Sequence, residues 1–333
     1  MRKFANVIVT LGLSAVAVGV VTAAATGYHV VSEVKIGGDG GWDYLTVDGA
    51  ARRIYVSHAT HVVVVDPDAG KVVGDIPDTP GVHGIALAPA LNRGFVSNGR
   101  SNNVTIFDMK TLKAIGQVAT GGNPDAIRFD EVSGRVFTFN GRSNDATVID
   151  AKAGTVAGTI PLGGKPEFSA ADGKGKVYVN IEDTNEVVEI DAAKATVTKR
   201  YALTGCEGPS GLAMDTKSRT LFSVCGNRVM AISNPDTGKV VATPAIGAGS
   251  DGVAFDAGNG YVFSSNGDGT LTIVQQNAGK WDVLENIATA RGARTIAIDE
   301  KTHRVFLPMA VPAASGGRGA FIPDSFKLVV VGK

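Results

Sequence analysis

The stretch Asp125-Ala-Ile-Arg-Phe-Asp130 has six relatives elsewhere in the chain, and this recurrence is the strongest structural signal in the sequence. The first residues of the seven copies lie 40, 42, 42, 43, 41 and 43 positions apart. The other copies are Asp43-Tyr-Leu-Thr-Val-Asp48, His83-Gly-Ile-Ala-Leu-Ala88, Glu167-Phe-Ser-Ala-Ala-Asp172, Ser210-Gly-Leu-Ala-Met-Asp215, Asp251-Gly-Val-Ala-Phe-Asp256 and Arg294-Thr-Ile-Ala-Ile-Asp299. A fixed period of this length indicates a repeat architecture.

Three more short apolar runs follow each copy in most units. In the first unit they are Arg53-Ile-Tyr-Val-Ser57, Val62-Val-Val-Val-Asp66 and Lys71-Val-Val-Gly-Asp-Ile76. Such runs, rich in Val, Ile and aromatic residues and bounded by Gly, Asp, Asn or Pro, predict strands joined by turns. Four strands in each of seven units predict an all-β protein, a seven-bladed β-propeller of four-stranded antiparallel blades. The 43 glycines among 333 residues then serve the many tight turns.

The two ends of the chain predict how the ring closes. The last unit has only three strands, and its third is Leu328-Val-Val-Val331. The stretch Tyr28-His-Val-Val-Ser-Glu-Val-Lys-Ile36 precedes the first unit and is similar to the fourth strands of the others. We therefore expect this N-terminal strand to complete the last blade, so that residues 28–333 form one domain. Closure would also protect strand edges; the alternative is an open array of sheets.

The second and third strands resemble the YVTN-type (YncE-like) propeller repeats. Tyr55-Val-Ser-His58 and Phe95-Val-Ser-Asn98 carry the resemblance most clearly, and Phe137-Thr-Phe-Asn140 carries it more loosely. The resemblance covers residues 28–333, although units five to seven depart from the motif, as in Phe222-Ser-Val-Cys225. It implies an exported propeller and no single activity, because this family is uniform in architecture rather than in function.

Residues 1–25 have the order of a secretory signal peptide. Arg2 and Lys3 precede an apolar run over residues 7–21, and Ala23-Ala24-Ala25 offers a cleavage site. The alternative is an uncleaved anchor, since residues 4–25 could almost span a hydrocarbon core about 30 Å thick as a helix. Gly12, Ser14 and Gly19 weaken such an anchor, so we expect cleavage. The mature protein would be periplasmic or secreted, with no further membrane span.

Charge and composition exclude several classes of protein. The 32 basic and 32 acidic residues balance, and loss of Arg2 and Lys3 with the signal would leave 30 basic and 32 acidic residues, a net charge of −2. This balance argues against nucleic acid as a partner. Apolar residues make up 44% of the chain, which excludes global disorder. We expect a monomer.

The first residues of the seven copies are the main candidates for a binding site. They enter the innermost strands, so they should ring one end of the central channel, which we call the channel mouth. The set is Asp43, His83, Asp125, Glu167, Ser210, Asp251 and Arg294. Ionisable groups from six of the seven blades, four carboxylates, a His and an Arg, would form a polar, mostly acidic funnel. The alternative is that any residue at a wet channel end is polar, whatever the function.

Two further groups belong to the same predicted face. His58, His61 and His83 could bind one transition metal ion, since imidazole suits Zn, Cu, Fe or Ni; alternatively they are separate surface imidazoles. Asn98-Gly-Arg-Ser-Asn102 and Asn140-Gly-Arg-Ser-Asn144 are near-copies in adjacent units. Asn-Gly predicts a hairpin turn. Arg100 and Arg142 could grip a carboxylate or phosphate together with Asn98, Asn140 and Arg294, or they could simply be solvated.

Unit five contains both cysteines of the chain. Cys206 precedes its first strand and Cys225 follows its second, so both should lie at the same edge of one blade. An even number of cysteines in an exported protein favours a disulfide. The alternative is a pair of free thiols that act as soft metal ligands.

The seventh unit carries a long insertion, residues 308–323, between its second and third strands. Loops of this length are either functional lids or disordered, and the sequence does not distinguish the two. Trp42, beside Asp43, could wall a pocket at the channel mouth, or it could pack between blades.

These features leave three hypotheses of function. The first is an exported binding or scaffold protein that holds a small polar or anionic ligand, or a protein partner. No Gly-x-Ser-x-Gly elbow and no His-Glu-x-x-His motif is present in the sequence. The second is a metal-dependent hydrolase or lactonase, in which Glu167, Asn98, Asn140 and Asp251 hold one divalent ion, Ca²⁺ or Zn²⁺, that activates water. The third is a metal-handling or redox role through the histidines.

Overall fold

Seven antiparallel sheets of four strands each make up the structure, a computed structural model that describes residues 1, 25–313 and 320–333. The predicted all-β, seven-bladed propeller is therefore confirmed. The one helix among the described residues is a single 3-10 turn, Pro89–Leu91. Within the same residues, no helix is long and apolar enough to cross a membrane. The predicted signal peptide lies outside the described residues except for Met1 and Ala25.

Six of the blades are meanders of consecutive strands. Blade one consists of β2 Leu45–Asp48, β3 Arg53–His58, β4 His61–Asp66 and β5 Lys71–Ile76. Blade two consists of β6 Val82–Ala88, β7 Arg93–Asn98, β8 Asn103–Asp108 and β9 Ala114–Ala119. Blade three consists of β10 Pro124–Asp130, β11 Arg135–Asn140, β12 Asp145–Asp150 and β13 Thr155–Pro161. Blade four consists of β14 Pro166–Ala171, β15 Lys176–Ile181, β16 Glu186–Asp191 and β17 Thr196–Ala202. Blade five consists of β18 Pro209–Asp215, β19 Thr220–Cys225, β20 Val229–Asn234 and β21 Lys239–Ala242. Blade six consists of β22 Ser250–Asp256, β23 Tyr261–Asn266, β24 Thr270–Asn277 and β25 Lys280–Ala288.

The seventh blade combines the two ends of the chain. Its strands are β26 Ala297–Asp299, β27 Arg304–Met309, β28 Lys327–Gly332 and the N-terminal strand β1 His29–Lys35. β1 pairs antiparallel with β28, from His29 opposite Gly332 to Lys35 opposite Lys327. The predicted closure by the N-terminal strand is confirmed, and the first strands β2 and β26 also meet.

Tyr28 anchors the closing strand. Its ring is 3% exposed and packs edge-on against Phe263 of blade six, with 5.1 Å between the ring centroids. Its hydroxyl donates a hydrogen bond of 3.0 Å to the carbonyl oxygen of His303. The N-terminal segment is therefore fixed to blades six and seven together.

The core lies between adjacent blades rather than within any one of them. One cluster, for example, joins Tyr55, Val62 and Val64 of blade one to Val96 and Phe107 of blade two. Because each blade buries its apolar face on a neighbour, the ring must be complete for the whole core to be dry.

Cys206 and Cys225 form a disulfide, as predicted, with their Cα atoms 5.4 Å apart. Cys206 precedes β18 and Cys225 ends β19, so the bond fastens one edge of blade five. A bridge across a sequence gap of 19 residues contributes about 3 kcal/mol in the chain-entropy model. Neither cysteine is free, which excludes the alternative of two thiol ligands.

The insertion in blade seven begins later than predicted, because Pro308 and Met309 still belong to β27. Residues 314–319 of the insertion lie outside the described residues. Pro312 and Phe321 form an isolated bridge, and the ring of Phe321 lies 4.9 Å from that of Trp42. Trp42 is 6% exposed, so it packs under the insertion instead of walling an open pocket.

Candidate binding site at the channel mouth

Backbone bulges aim the candidate side chains at the channel. In blades two to six, the candidate ligand residue is the second residue of the first strand. At this point the register between the first and second strands is interrupted by a bulge, which begins after Val82, Pro124, Pro166, Pro209 and Ser250. A bulge re-aims the side chain that it carries. These five residues are therefore part of the innermost strands, whereas Asp43 and Arg294 precede theirs.

Three neighbouring blades bring Asp43, His83 and Asp125 together. His83 Nδ1 lies 2.5 Å from Asp43 Oδ2 and 3.7 Å from Asp125 Oδ1. One potential ligand atom from each of the three residues lies within 4.8 Å of the others, and no other such group of three occurs among the described residues. The three side chains are 16% to 27% exposed, so solvent still reaches them from the mouth.

Burial and mutual repulsion set the protonation of this set. Burial alone would lower the pKa of His83, but its hydrogen bond with Asp43 and the charge of Asp125 raise that pKa to about 9. Burial, followed by the charge of Asp43, raises the pKa of Asp125 to about 7, although His83 opposes the rise. At neutral pH, His83 is therefore protonated and lies between two carboxyl groups.

The other two carboxylates of the channel mouth have cations of their own. Lys165 Nζ lies 2.7 Å from Glu167 Oε1, and Arg294 Nε lies 2.9 Å from Asp251 Oδ2. Burial raises the pKa of both carboxyl groups in spite of these partners. Asp43 and Asp125, by contrast, have no lysine or arginine within 4.0 Å among the described residues and share only His83.

An aromatic pair lies beneath the charged residues. Tyr44 of blade one reaches Phe168 of blade four across the ring, with 4.1 Å between the ring centroids. Burial and the charge of Asp125 raise the pKa of Tyr44 well above its ordinary value, so its hydroxyl stays protonated. The pair forms a floor that separates the channel mouth from the rest of the channel.

The structure does not bring the asparagines of the repeated Asn-Gly turns into this set. The side-chain amide of Asn98 donates to Asn103 Oδ1 and Thr105 Oγ1, each at 2.8 Å, and Asn140 bonds Asp145 and Thr147 in the same way. Both asparagines are fully buried. Their side-chain amides connect the second strand of a blade to its third strand, so they do not point into the channel mouth. Arg100 and Arg142 are exposed and have no side-chain partner among the described residues.

The three histidines do not form one cluster. His58 and His61 face each other across the β3–β4 hairpin, with ring centroids 5.0 Å apart. His58 also stacks on Phe326 at 4.2 Å, away from His83. The hairpin register directs His58 toward blade seven, whereas the bulge in β6 turns His83 to the channel. This placement removes the geometric basis for a joint His58–His61–His83 metal site.

His58 makes the protein sensitive to acid. It is 1% exposed, and neither ring nitrogen has a hydrogen-bond partner among the described residues. Burial lowers its pKa to about 4. Since the unfolded chain takes up this proton near pH 6.5 and the folded chain only near pH 4, the unfolding free energy falls as the pH drops through that window, by roughly 3 kcal/mol.

Denaturant unfolding across this window checks the prediction. His58→Phe should flatten the fall in unfolding free energy, whereas His29→Phe, at an exposed ring, should leave its slope unchanged. Equal slopes for wild type and His58→Phe would contradict the assignment.

Comparisons with known proteins place the fold and little more. No protein-family model matches the chain, and no curated protein matches it. The structure is similar to a chain of the hydrazine synthase of Kuenenia stuttgartiensis, with a TM-score of 0.71 and 15% identity over 82% of this chain and 94% of that one. At this identity the likeness shows the propeller fold alone.

Several residues of the mouth went unrecognised in the sequence. They are Tyr44, Phe168, Lys165 and Ser57, whose hydroxyl accepts a 2.8 Å hydrogen bond from the backbone N–H of Asp43. The repeat itself carried a signal for the first two. At the second position of the seven copies, Tyr44 and Phe168 are the only aromatic residues, and the others are Gly, Ala or Thr.

Proposed function

We propose that the protein is an exported, YVTN-type propeller that binds one divalent metal ion at the channel mouth through Asp43, His83 and Asp125. The observation that carries the proposal is the convergence of two carboxylates on one imidazole, without a lysine or arginine to neutralise them among the described residues. The other two carboxylates have such partners. Protonated His83 is therefore the only cation that these two carboxylates share among the described residues, and a metal ion would take the place of its proton.

The spacing of the ligand atoms suits a metal ion. Ligands about 2.1 Å from a tetrahedral zinc ion lie roughly 3.4 Å from one another. His83 Nδ1 and Asp125 Oδ1, 3.7 Å apart, are already near that separation. His83 and Asp43, at 2.5 Å, would part by about an ångström as the metal replaced the proton between them, and metal binding commonly releases such protons.

Hydrogen bonds from two blades hold Asp43 in place. Its backbone N–H donates to Ser57 Oγ at 2.8 Å, and its carbonyl oxygen accepts a 2.7 Å hydrogen bond from Thr295 Oγ1 of blade seven. A metal ligand whose backbone is already held by hydrogen bonds loses little freedom on binding.

The donor set favours a first-row transition ion. An imidazole nitrogen suits Zn²⁺ and its neighbours, whereas Ca²⁺ prefers six or more oxygen ligands. Three protein ligands would leave a position for water on the solvent side, which is the arrangement of catalytic zinc sites. A metal-dependent hydrolase or lactonase is therefore the second candidate, and it requires the same ion.

The motif and the disulfide support the rest of the proposal. Tyr55-Val-Ser-His58 and its relatives match the YVTN pattern. A disulfide such as Cys206–Cys225 is typical of oxidising compartments, in keeping with the signal-like residues 1–25.

Equilibrium dialysis of the metal-free mature protein against Zn²⁺ tests the site. Wild type should bind one equivalent, and Asp125→Asn or His83→Gln should each weaken binding at least about tenfold. Asp251→Asn is the matched control, since Asp251 lies in the same mouth but pairs with Arg294, and it should keep wild-type affinity.

Two outcomes would refute the metal site. One is no bound zinc in wild type, and the other is an equal loss of affinity in Asp251→Asn and Asp125→Asn. Ester and lactone hydrolysis, assayed with the same proteins, then distinguishes the two candidate functions: zinc-dependent turnover that Asp125→Asn abolishes would favour the hydrolase.

A further inference from the structure

Arg128 is an exception on the channel wall. It occupies the fourth position of the third repeat copy, in strand β10. The equivalent residues of the other six blades are all small: Thr46, Ala86, Ala170, Ala213, Ala254 and Ala297. A single long cationic side chain therefore enters a channel whose walls are otherwise short at this level.

The charge of Arg128 is not matched by an acid. One N–H of its guanidinium donates to the carbonyl oxygen of Ser169 at 2.6 Å, and its other N–H groups have no acceptor among the described residues. No carboxylate of those residues lies within 4.0 Å of it. Arg128 is exposed to the interior of the channel, and an arginine stays protonated at any physiological pH.

Both apolar side chains and polar groups line the channel around Arg128. One cavity of about 530 Å³ is lined by Leu45, Val47, Ile85, Leu87, Phe129 and Ile296 as well as Arg128. A smaller cavity of about 250 Å³ shares Arg128 and adds side chains such as Leu212 and Met214. Sites for small molecules are typically 300–1,000 Å³ in volume, apolar, and equipped with a few polar groups.

The Tyr44–Phe168 pair separates this cavity from the metal site. Both rings line the cavity, whereas Asp43, His83 and Asp125 do not. Its lining also reaches Asp48, Gly49 and Pro89, at the turns between first and second strands, so it approaches the face opposite the channel mouth. The cavity and the channel mouth are thus two places in one channel.

We propose that this cavity binds a small amphiphilic carboxylate, with the carboxylate on Arg128 and the apolar chain along the aliphatic wall. A guanidinium presents paired N–H groups that match the two oxygens of a carboxylate. The chain would replace water along Val47 and Leu87, which are partly exposed and line the cavity, and each buried CH₂ contributes to binding. This site does not depend on the metal ion proposed above.

Calorimetric titration of the mature protein with octanoate and with octan-1-ol tests the proposal. Octanoate should bind with one equivalent, and Arg128→Met should weaken it at least about tenfold, as expected for loss of a charge-assisted contact. Binding of octan-1-ol, which lacks the charge, should change much less. Arg291→Met, at an exposed arginine outside the cavity lining, is the matched control.

A second variant separates charge from volume. Ala297→Leu narrows both cavities and should weaken the binding of octanoate and of octan-1-ol to a similar extent. The melting temperature of each variant shows whether it is folded. The proposal would be overturned if wild type does not bind octanoate, or if folded Arg128→Met binds octanoate with the same affinity as wild type. Neither outcome would affect the zinc experiment.

Discussion

Deletion of residues 25–36 is expected to lower the free energy of unfolding by about 5 kcal/mol, a large part of what a typical domain has. The deletion removes β1, leaves β28 as an unpaired edge and uncovers the pocket that Tyr28 fills between Phe263 and His303. Each lost ladder hydrogen bond contributes about 1 kcal/mol and burial of a large side chain about 2 kcal/mol. The free edge should also promote aggregation.

Complementation with a peptide tests this expectation directly. A synthetic peptide of residues 25–36, added to the truncated protein, should bind β28 and restore most of the lost stability in denaturant unfolding. A scrambled peptide of the same composition is the control. A truncated protein that unfolds at the wild-type denaturant concentration would show that the N-terminal strand does not close the ring.

Gly211→Val is expected to lower the unfolding free energy by about 3 kcal/mol or more, because the substitution overpacks a contact between two blades. A Cβ atom at this position would lie 2.9 Å from the carbonyl oxygen of Asp251 and 2.9 Å from the Cα atom of Gly252. Both atoms belong to the backbone of β22, so no side-chain rotation relieves the clash. Relief requires that blade six move away from blade five.

Gly158→Val is the matched control for this substitution. Gly158 lies in the outer strand β13, and a Cβ atom there would meet nothing within 4 Å. Its unfolding free energy should change by about 0.5 kcal/mol at most. Equal shifts of the melting temperature in the two variants would contradict the close approach of the inner strands.

The sequence predicted the fold well because the signals that define it are local and repeated. The spacing of the seven copies fixed the number of blades, and the three strands of the last unit indicated the role of β1. The start of the insertion at residue 310 was missed, since Pro308 and Met309 pair in β27. Proline at this position removes a donor, which made a loop the more natural interpretation.

The candidate site was predicted in composition but not in pairing. Alignment of the repeats found the ring of ionisable residues, yet Lys165, two residues before Glu167, gave no sign that it would neutralise that carboxylate. Asn98 was misplaced because its side-chain direction depends on the hairpin, where Thr105 takes up its amide. Side-chain direction at bulges and turns depends on three-dimensional packing, which a one-dimensional pattern does not encode.

The most direct test of the metal site is an anomalous difference map from Zn²⁺-soaked crystals of a variant that lacks residues 1–25, recorded on both sides of the zinc absorption edge. The map is expected to show a single strong peak bounded by Asp43 Oδ2, His83 Nδ1 and Asp125 Oδ1, and crystals of Asp125→Asn should lack it. A map whose peaks lie elsewhere, for example at the His58–His61 pair, with none at the channel mouth, would contradict the assignment.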